Sequence, residues 1–295
     1  MGDQQSTNRA AVEAVREFLG GPWPDGDAWT FQLAEHLCSN WGAVYGGASA
    51  AVAVSLARLT APDYSPRSLH LQMLRPLPPG TARGAAKVRH RGRTVATIET
   101  ELHDGRGNLA AAALVTCVVP ESLARDFSGT RADPFDLAYH PIDLGDYQAA
   151  IAPIAFALKM PGVSDGPITI TNLPPSITGD PARCLTIESP WRDVTTTSPE
   201  LACLIADATN GLPIIHSLSS LGPVSWPNTD LSLRFTSAPA DNPVLAAGTL
   251  VSVADGTTIV LINVQAGGRW LAHGHSTSVL LPVAHTDGRP AASSN

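Results

Sequence analysis

Positive charge is scarce in this chain. Lysine occurs only at Lys87 and Lys159, acidic residues outnumber Lys and Arg by 26 to 19, and the formal net charge is -7. No half carries a basic stripe, which argues against binding a nucleic acid, because phosphate-backbone affinity rests on clustered Lys and Arg. Cysteine is sparse as well. Cys38, Cys117, Cys184 and Cys203 stand far apart and form no CxxC pair, so they read as small hydrophobes buried in a reducing compartment. No apolar run reaches about 18 residues without polar interruption, so no helix is expected to span a membrane. The first residues, MGDQQSTNRAAVEAVREFLG, lack a basic segment followed by an apolar one, and no signal peptide is expected. MGDQQS matches the myristoylation pattern, a weak signal. A cytoplasmic protein without a membrane partner is the expectation. There is no G-x-S-x-G elbow for a Ser–His–Asp hydrolase. His273 and His275 share a strand face, but no third ligand stands at a recognisable spacing, so neither a metal nor another cofactor is expected.

What is present is a core and a repeat. Hydrophobic residues make up 44% and charged residues 15% of 295 residues, a globular composition with length for roughly two domains of about 150 residues. Residues 7–19 read as a short amphipathic helix, with Val12, Val15, Phe18 and Leu19 on one side, and residues 28–34 as a strand. An apolar helix follows in GAVYGGASAAVAVSLA and ends near Thr60. Strands are then expected at 68–74, 81–91, 93–104 and 108–119, with RHRGR and HDGRGN as turns. Residues 183–282 repeat the order: a strand at 183–189, a helix at 198–210, a loop through GPVSWPN, and strands at 229–237, 244–256, 257–268 and 269–283. Between them, Pro, Asp and Gly-rich residues form a connector too long for a simple loop. The expected division is 1–125, connector 126–180, 181–284 and a tail, 285–295. A helix followed by antiparallel strands, occurring twice, predicts an α+β double hot-dog: two long helices, each wrapped by a curved antiparallel sheet, packed as an internal pseudo-dimer.

The two helices differ in one respect. The first has no ionisable side chain from Gly46 to Ala57, whereas LACLIADATNGLP carries one carboxylate, Asp207. A lone acid among Leu, Ile and Ala is costly to bury without a reason.

GAVYGGASAA, SLHLQMLRPLPPG and RGRTVATIETEL, followed by IADATNGLP and WPNTDLSLRF, resemble acyl-CoA thioesterase II-like double hot-dog proteins. Leu69, His70, Leu74, Arg75 and Pro76 match one motif of that family, and Arg91, Gly92, Arg93 and Thr94 another. The resemblance implies metal-free hydrolysis of acyl thioesters by water held between an Asp, a Thr and a Gln. Asp207 takes the Asp position. Asn228, with Thr229 adjacent, falls where the Thr is expected, and Ser276 where the Gln is expected. Only the acid is matched in kind. Gly46 and Gly47, at a helix start, could polarise the thioester carbonyl through backbone N–H groups. His70 is a candidate pocket residue, and Arg75, Arg91 and Arg93 offer charge for the phosphates of the ligand.

The expected partner is an acyl-CoA or acyl-carrier-protein thioester, with further homo-oligomerisation through exposed sheet edges left open. Two rival readings stand beside hydrolysis. One is a non-hydrolytic acyl-thioester binding protein, in keeping with the changed Thr and Gln positions. The other is a hot-dog enoyl-CoA hydratase or dehydratase pairing Asp207 with His216, although His216 reads more readily as a loop histidine.

Overall fold

The computed structural model describes residues 16–39, 42–122, 170–172, 184–188, 199–218, 224–236, 244–266 and 269–282. In chain order the elements are β1 (Trp23–Asp25), β2 (Ala28–Leu33), α1 (Gly46–Thr60), β3 (Ser65–Met73), β4 (Gly80–Arg91), β5 (Val95–His103) and β6 (Leu109–Val118). The second half contains β7 (Ile170–Asn172), β8 (Cys184–Glu188), α2 (Pro199–Leu218), β9 (Val224–Ser225), β10 (Asn228–Phe235), β11 (Val244–Ala254), β12 (Thr257–Ala266), β13 (Arg269–Val279) and β14 (Leu281–Pro282). Residues 16–19 are helical, which is the end of the segment expected at 7–19; the rest of it lies outside the described residues. Of the expected connector, only β7 is described, and it pairs antiparallel with β8.

Among the described residues twelve strands form one sheet in the order β1-β2-β4-β5-β6-β3-β10-β13-β12-β11-β8-β7, and every neighbouring pair is antiparallel. The two runs of hairpins meet where β3 pairs with β10, with Leu69 opposite Leu233 and Leu71 opposite Leu231. All four leucines are buried, whereas His70 between the first two is exposed, the period-2 alternation of a sheet with one covered face. The β11–β12 hairpin closes on Asp255 and Gly256, both at positive φ (52° and 72°), as a two-residue primed turn requires.

Helix α1 packs on β3 to β6, and α2 on β8 and β10 to β13. Every α1 residue from Gly47 to Ala57 is buried, the state of a helix that is apolar all round. The helices also pack on each other, running in opposite directions. Near the start of α1, a Cβ on Gly47 would come within 2.7 Å of the Cys203 carbonyl oxygen. Near its end, Arg58 forms an ion pair with Glu200 at 2.6 Å, and Ser55 Oγ reaches the same carboxylate at 3.4 Å. Glu200 belongs to α2 and is buried, so this helix carries two buried carboxylates, Glu200 lying just before the LACLIADATNGLP stretch that holds Asp207.

Helix α2 also runs further than expected. Proline disfavours a helix interior, which placed the end near residue 210, yet α2 continues through Pro213 to Leu218. Ile214, just beyond the proline, is fully buried, and tertiary burial of this kind overrides local propensity. His216 therefore lies on a helix and not in a loop.

Candidate active site

The N-terminus of α1 abuts the middle of α2. The first N–H groups of a helix have no partner within it, and the N-cap residue, Tyr45, supplies no side-chain cap. The partner comes from the other helix. Gly47 N–H donates to Asp207 Oδ2 at 2.8 Å, and the Gly46 N–H also bonds to this carboxylate. The acid of α2 thus caps α1, where the positive end of the helix dipole favours a negative charge. Glycine is required at this contact. A side chain on Gly47 would meet the Cys203 carbonyl, the Cβ of Asp207 and the Cα of Leu204, all within 3.0 Å.

A second set of partners comes from the sheet. Asn228 Nδ2 donates to Asp207 Oδ1. The Asn228 Oδ1 accepts from Ser278 Oγ at 2.7 Å and from Asn210 Nδ2, and Asn210 Nδ2 also reaches Ser278 Oγ at 3.1 Å. Asn210 stands one turn along α2 from Asp207, on the same face. Asn228 opens β10, and Ser278 is its register partner on β13.

Asp207 is 3% exposed. Burial pushes its pKa from 3.8 up to about 6, against the opposing effect of hydrogen bonds from Gly47, Asn228 and Gly46. It is therefore ionised at neutral pH, yet close enough to neutrality to accept a proton. Burial, with the Asp207 charge second, pushes the Tyr45 phenol well above its ordinary value and keeps it protonated. Burial likewise pushes the Cys203 thiol up, assisted by Glu200 and Asp207.

Asp207 and Asn228 face a cavity of about 420 Å³, the size of a small-molecule site. Its polar lining includes Tyr45, Ser49, Arg75 and Thr229, and its apolar walls include Val44, Met73, Leu77 and Trp226. Among the described residues no group of three His, Cys, Asp or Glu side chains is placed to hold a metal ion, and no helix is long and apolar enough to cross a membrane.

The residues singled out from the sequence separate into three sets. Asp207, Asn228, Gly46 and Gly47 converge, and Thr229 and Arg75 line the same cavity. Ser276 lies close by on β13, but its hydroxyl donates to the Asp230 carbonyl at 3.0 Å, and Ser278 is the serine that joins Asn228. His70, Arg91 and Arg93 are not brought to the cavity. His70 projects from the other face of β3, where Nδ1 contacts Ser232 Oγ at 2.9 Å and Arg234 reaches Nε2 at 3.0 Å. Arg91 ends β4, 3.5 Å from Asp63 and over the Tyr64 ring, and Arg93 lies in the adjoining hairpin. Hairpin-tip arginines stay solvated because the turn carries them away from the helix-covered face. Asn210, Ser278 and Tyr45 were not singled out from the sequence. Helical spacing from Asp207 would have found Asn210, strand parity with Ser276 would have found Ser278, and Tyr45 directly precedes Gly46.

Comparison with known proteins bears on the fold and on one stretch of the chain. Residues 37–118 match the acyl-CoA thioesterase N-terminal domain. No curated protein matches significantly. Among solved structures, the chain is similar to an acyl-CoA thioesterase II from Mycobacterium marinum (14% identity, 94% of this chain and 99% of that one, TM-score 0.62). It is similar also to a thioesterase II, so described provisionally, from Thermobifida fusca (19%, 90% and 97%, 0.59). A third is a hot-dog protein of unknown function from Alicyclobacillus acidocaldarius (13%, 92% and 98%, 0.63). Identities this low speak for the fold, which is hot-dog. With an acid held at a helix start beside a cavity, the chain has the hot-dog fold, and its residues 37–118 match the acyl-CoA thioesterase N-terminal domain.

Proposed function

We propose that this protein hydrolyses acyl-CoA thioesters by carboxylate-assisted attack of water, without a metal. One observation carries the reading: a buried carboxylate, Asp207, faces the cavity with a pKa raised to about 6. A general base is most effective when its pKa lies near the working pH. The Asn228 amide group has a second hydrogen, and the Asp207 oxygens have remaining lone pairs, so the two can orient one water between them. The water oxygen bonds to the thioester carbon while its proton passes to Asp207. Collapse of the tetrahedral intermediate breaks the C–S bond, and the leaving thiolate takes up that proton. Gly46 and Gly47 act in this reading by holding Asp207, since their N–H groups are committed to it and not to the substrate carbonyl. Tyr45 is the protonated donor left on the cavity wall for that carbonyl. In this reading Arg75, which lines the same wall, binds a phosphate of the carrier.

The same reading takes residues 1–125 and 181–284 as two hot-dog halves, with α1 and α2 each wrapped by part of the sheet, packed as an internal pseudo-dimer. Support comes from the seam at β3–β10 and from the helices, which cross-link at Gly47–Asp207 and Arg58–Glu200.

The test is release of free CoA from short, medium and long acyl-CoAs by the purified protein, with Asp207→Asn as control. Release by the wild type and its loss in the variant is the expected result, with activity rising with pH through about 6. Absence of turnover above background across the panel refutes it. Calorimetric binding without release would establish the binding-protein reading instead, and an absorbance change on an enoyl-CoA the hydratase reading.

A further inference from the structure

The hydrogen bonds that lead away from Asp207 run in one direction, and the last of them ends on an unpaired atom. A carboxylate only accepts, so Asn228 must turn its NH2 group toward Asp207. The carbonyl end of the Asn228 amide then faces Asn210 and Ser278, and both donate to it. Asn210 consequently presents its own NH2, which leaves its Oδ1 buried without a hydrogen-bond partner. Asn210 is 1% exposed, and buried polar atoms in folded proteins are nearly always satisfied. An asparagine serving packing alone would be expected to turn so that both ends found partners. This one is held in the orientation that serves Asn228.

We propose that Asn210 is a positioning residue: by donating to Asn228 Oδ1 it fixes which end of the Asn228 amide meets Asp207, and with it the ionised form of that acid. An amide is nearly symmetric in shape, so Asn228 fits its site in either orientation. Only the donors at its far end, Asn210 and Ser278, distinguish the two. With Asp207 protonated the order reverses. The acid O–H donates to Asn228 Oδ1, the Asn228 NH2 turns to Asn210, and Asn210 accepts through the oxygen that is unpaired now. The three side chains form a chain with two directions, selected by the charge on Asp207. The other titratable groups facing Asp207 are Tyr45, from the start of α1, and Cys203, one turn back on α2. Arg75 lies further out on the cavity wall. Both β10 and β13 contribute only Asn228 and Ser278 here, neither of which titrates.

The proposal rests on Asp207 being the working carboxylate, but its test does not require turnover. The Asp207 carboxyl is followed by 13C NMR of aspartate-labelled protein and identified by its loss in Asp207→Asn. Asn210→Leu keeps the branched heavy-atom skeleton and removes the donor; Ser278→Ala removes the second donor. The titration midpoint is expected to move up by about one pH unit in Asn210→Leu, less in Ser278→Ala, and most in the double variant. Where hydrolysis is measurable, the acidic limb of its pH profile moves by the same amount, a response that loss of packing alone does not produce. An unchanged midpoint in the double variant overturns the proposal. If Asn210→Leu fails to fold, Ser278→Ala, which leaves α2 intact, decides by the same criterion. Movement of the midpoint without CoA release would leave Asn210 in its role and remove the hydrolytic function. Release with an unmoved midpoint would do the reverse.

Discussion

Replacing Asp207 with Asn turns the cost of burying this acid into a measurable quantity. In the folded protein burial raises the pKa of Asp207 from 3.8 to about 6. Between those two pH values the folded state binds the proton that the unfolded state has released, so stability falls as pH rises. The full loss, about 2.2 pK units at 1.36 kcal/mol each, is on the order of 3 kcal/mol. Roughly 2 kcal/mol of it falls between pH 4.5 and 7.5, because the unfolded acid is already mostly ionised at the lower value. Asparagine has no such dependence. Urea unfolding of both proteins at pH 4.5, 6.0 and 7.5 isolates the effect, since every other titrating group cancels in the difference. The variant should gain on the wild type by roughly 2 kcal/mol over that range, whatever their offset at pH 4.5. That offset contains the lost or reversed hydrogen bonds to Gly47 and Asn228 and is not predicted. A stability difference that stays constant from pH 4.5 to 7.5 would refute the claim that Asp207 is buried as a costly charge. A difference that moves the other way would show that the hydrogen bonds outweigh desolvation.

Two further perturbations test the contact between the helices. Gly47→Ala adds a methyl group within 3.0 Å of Cys203 O, Asp207 Cβ and Leu204 Cα, two of them backbone atoms that cannot turn aside. Overpacking of this kind costs about 1–3 kcal/mol, so a lower midpoint in thermal unfolding is expected together with reduced CoA release; a variant as stable and active as the wild type would disprove the close approach. Arg58→Ala leaves Glu200, 2% exposed, without its ion-pair partner, at a cost of about 3–5 kcal/mol in urea unfolding at neutral pH, and Glu200→Gln introduced into that variant should recover part of the loss. No recovery would mean that the charge on Glu200 is not what Arg58 offsets.

The fold was largely legible because its signals are local. Alternation marked the strands from β3 to β6 and from β10 to β13 to within a few residues. Asp255 and Gly256 marked a hairpin turn, and the run from Gly46 to Ala57 could only be a buried helix. Long-range packing decided what local signals missed. Local chemistry ends a helix before Pro213, and burial of Ile214 carries it past. The choice between Ser276 and Ser278 shows the same limit inside the site. Strand parity puts both on the covered face, but the register of β10 against β13 sets Ser278 opposite Asn228 and Ser276 opposite Leu231. A register shift between Asn228 and Asp230 makes that pairing, and no motif announces it. His70, Arg91 and Arg93 belong to the motifs that carry the resemblance, yet their side chains lie away from the cavity. A motif residue can mark a strand or a hairpin without lining the cavity.

The difference between the two helices has a physical reason once they are placed together. A helix start needs acceptors for its first N–H groups, and a carboxylate buried in a helix needs donors. Gly46 and Gly47 leave both donors bare and let α2 approach to contact distance; Asp207 supplies the acceptor from α2. Each feature is unfavourable alone: two glycines weaken a helix start, and an isolated acid raises the cost of burying α2. Together they satisfy one another and leave one edge of the carboxylate on a cavity wall. A side chain at Gly47 would force the helices apart, and an apolar residue at 207 would leave two buried N–H groups without partners. The first helix therefore carries no acid because its contribution is the pair of donors, and neither half of the chain contains the site without the other.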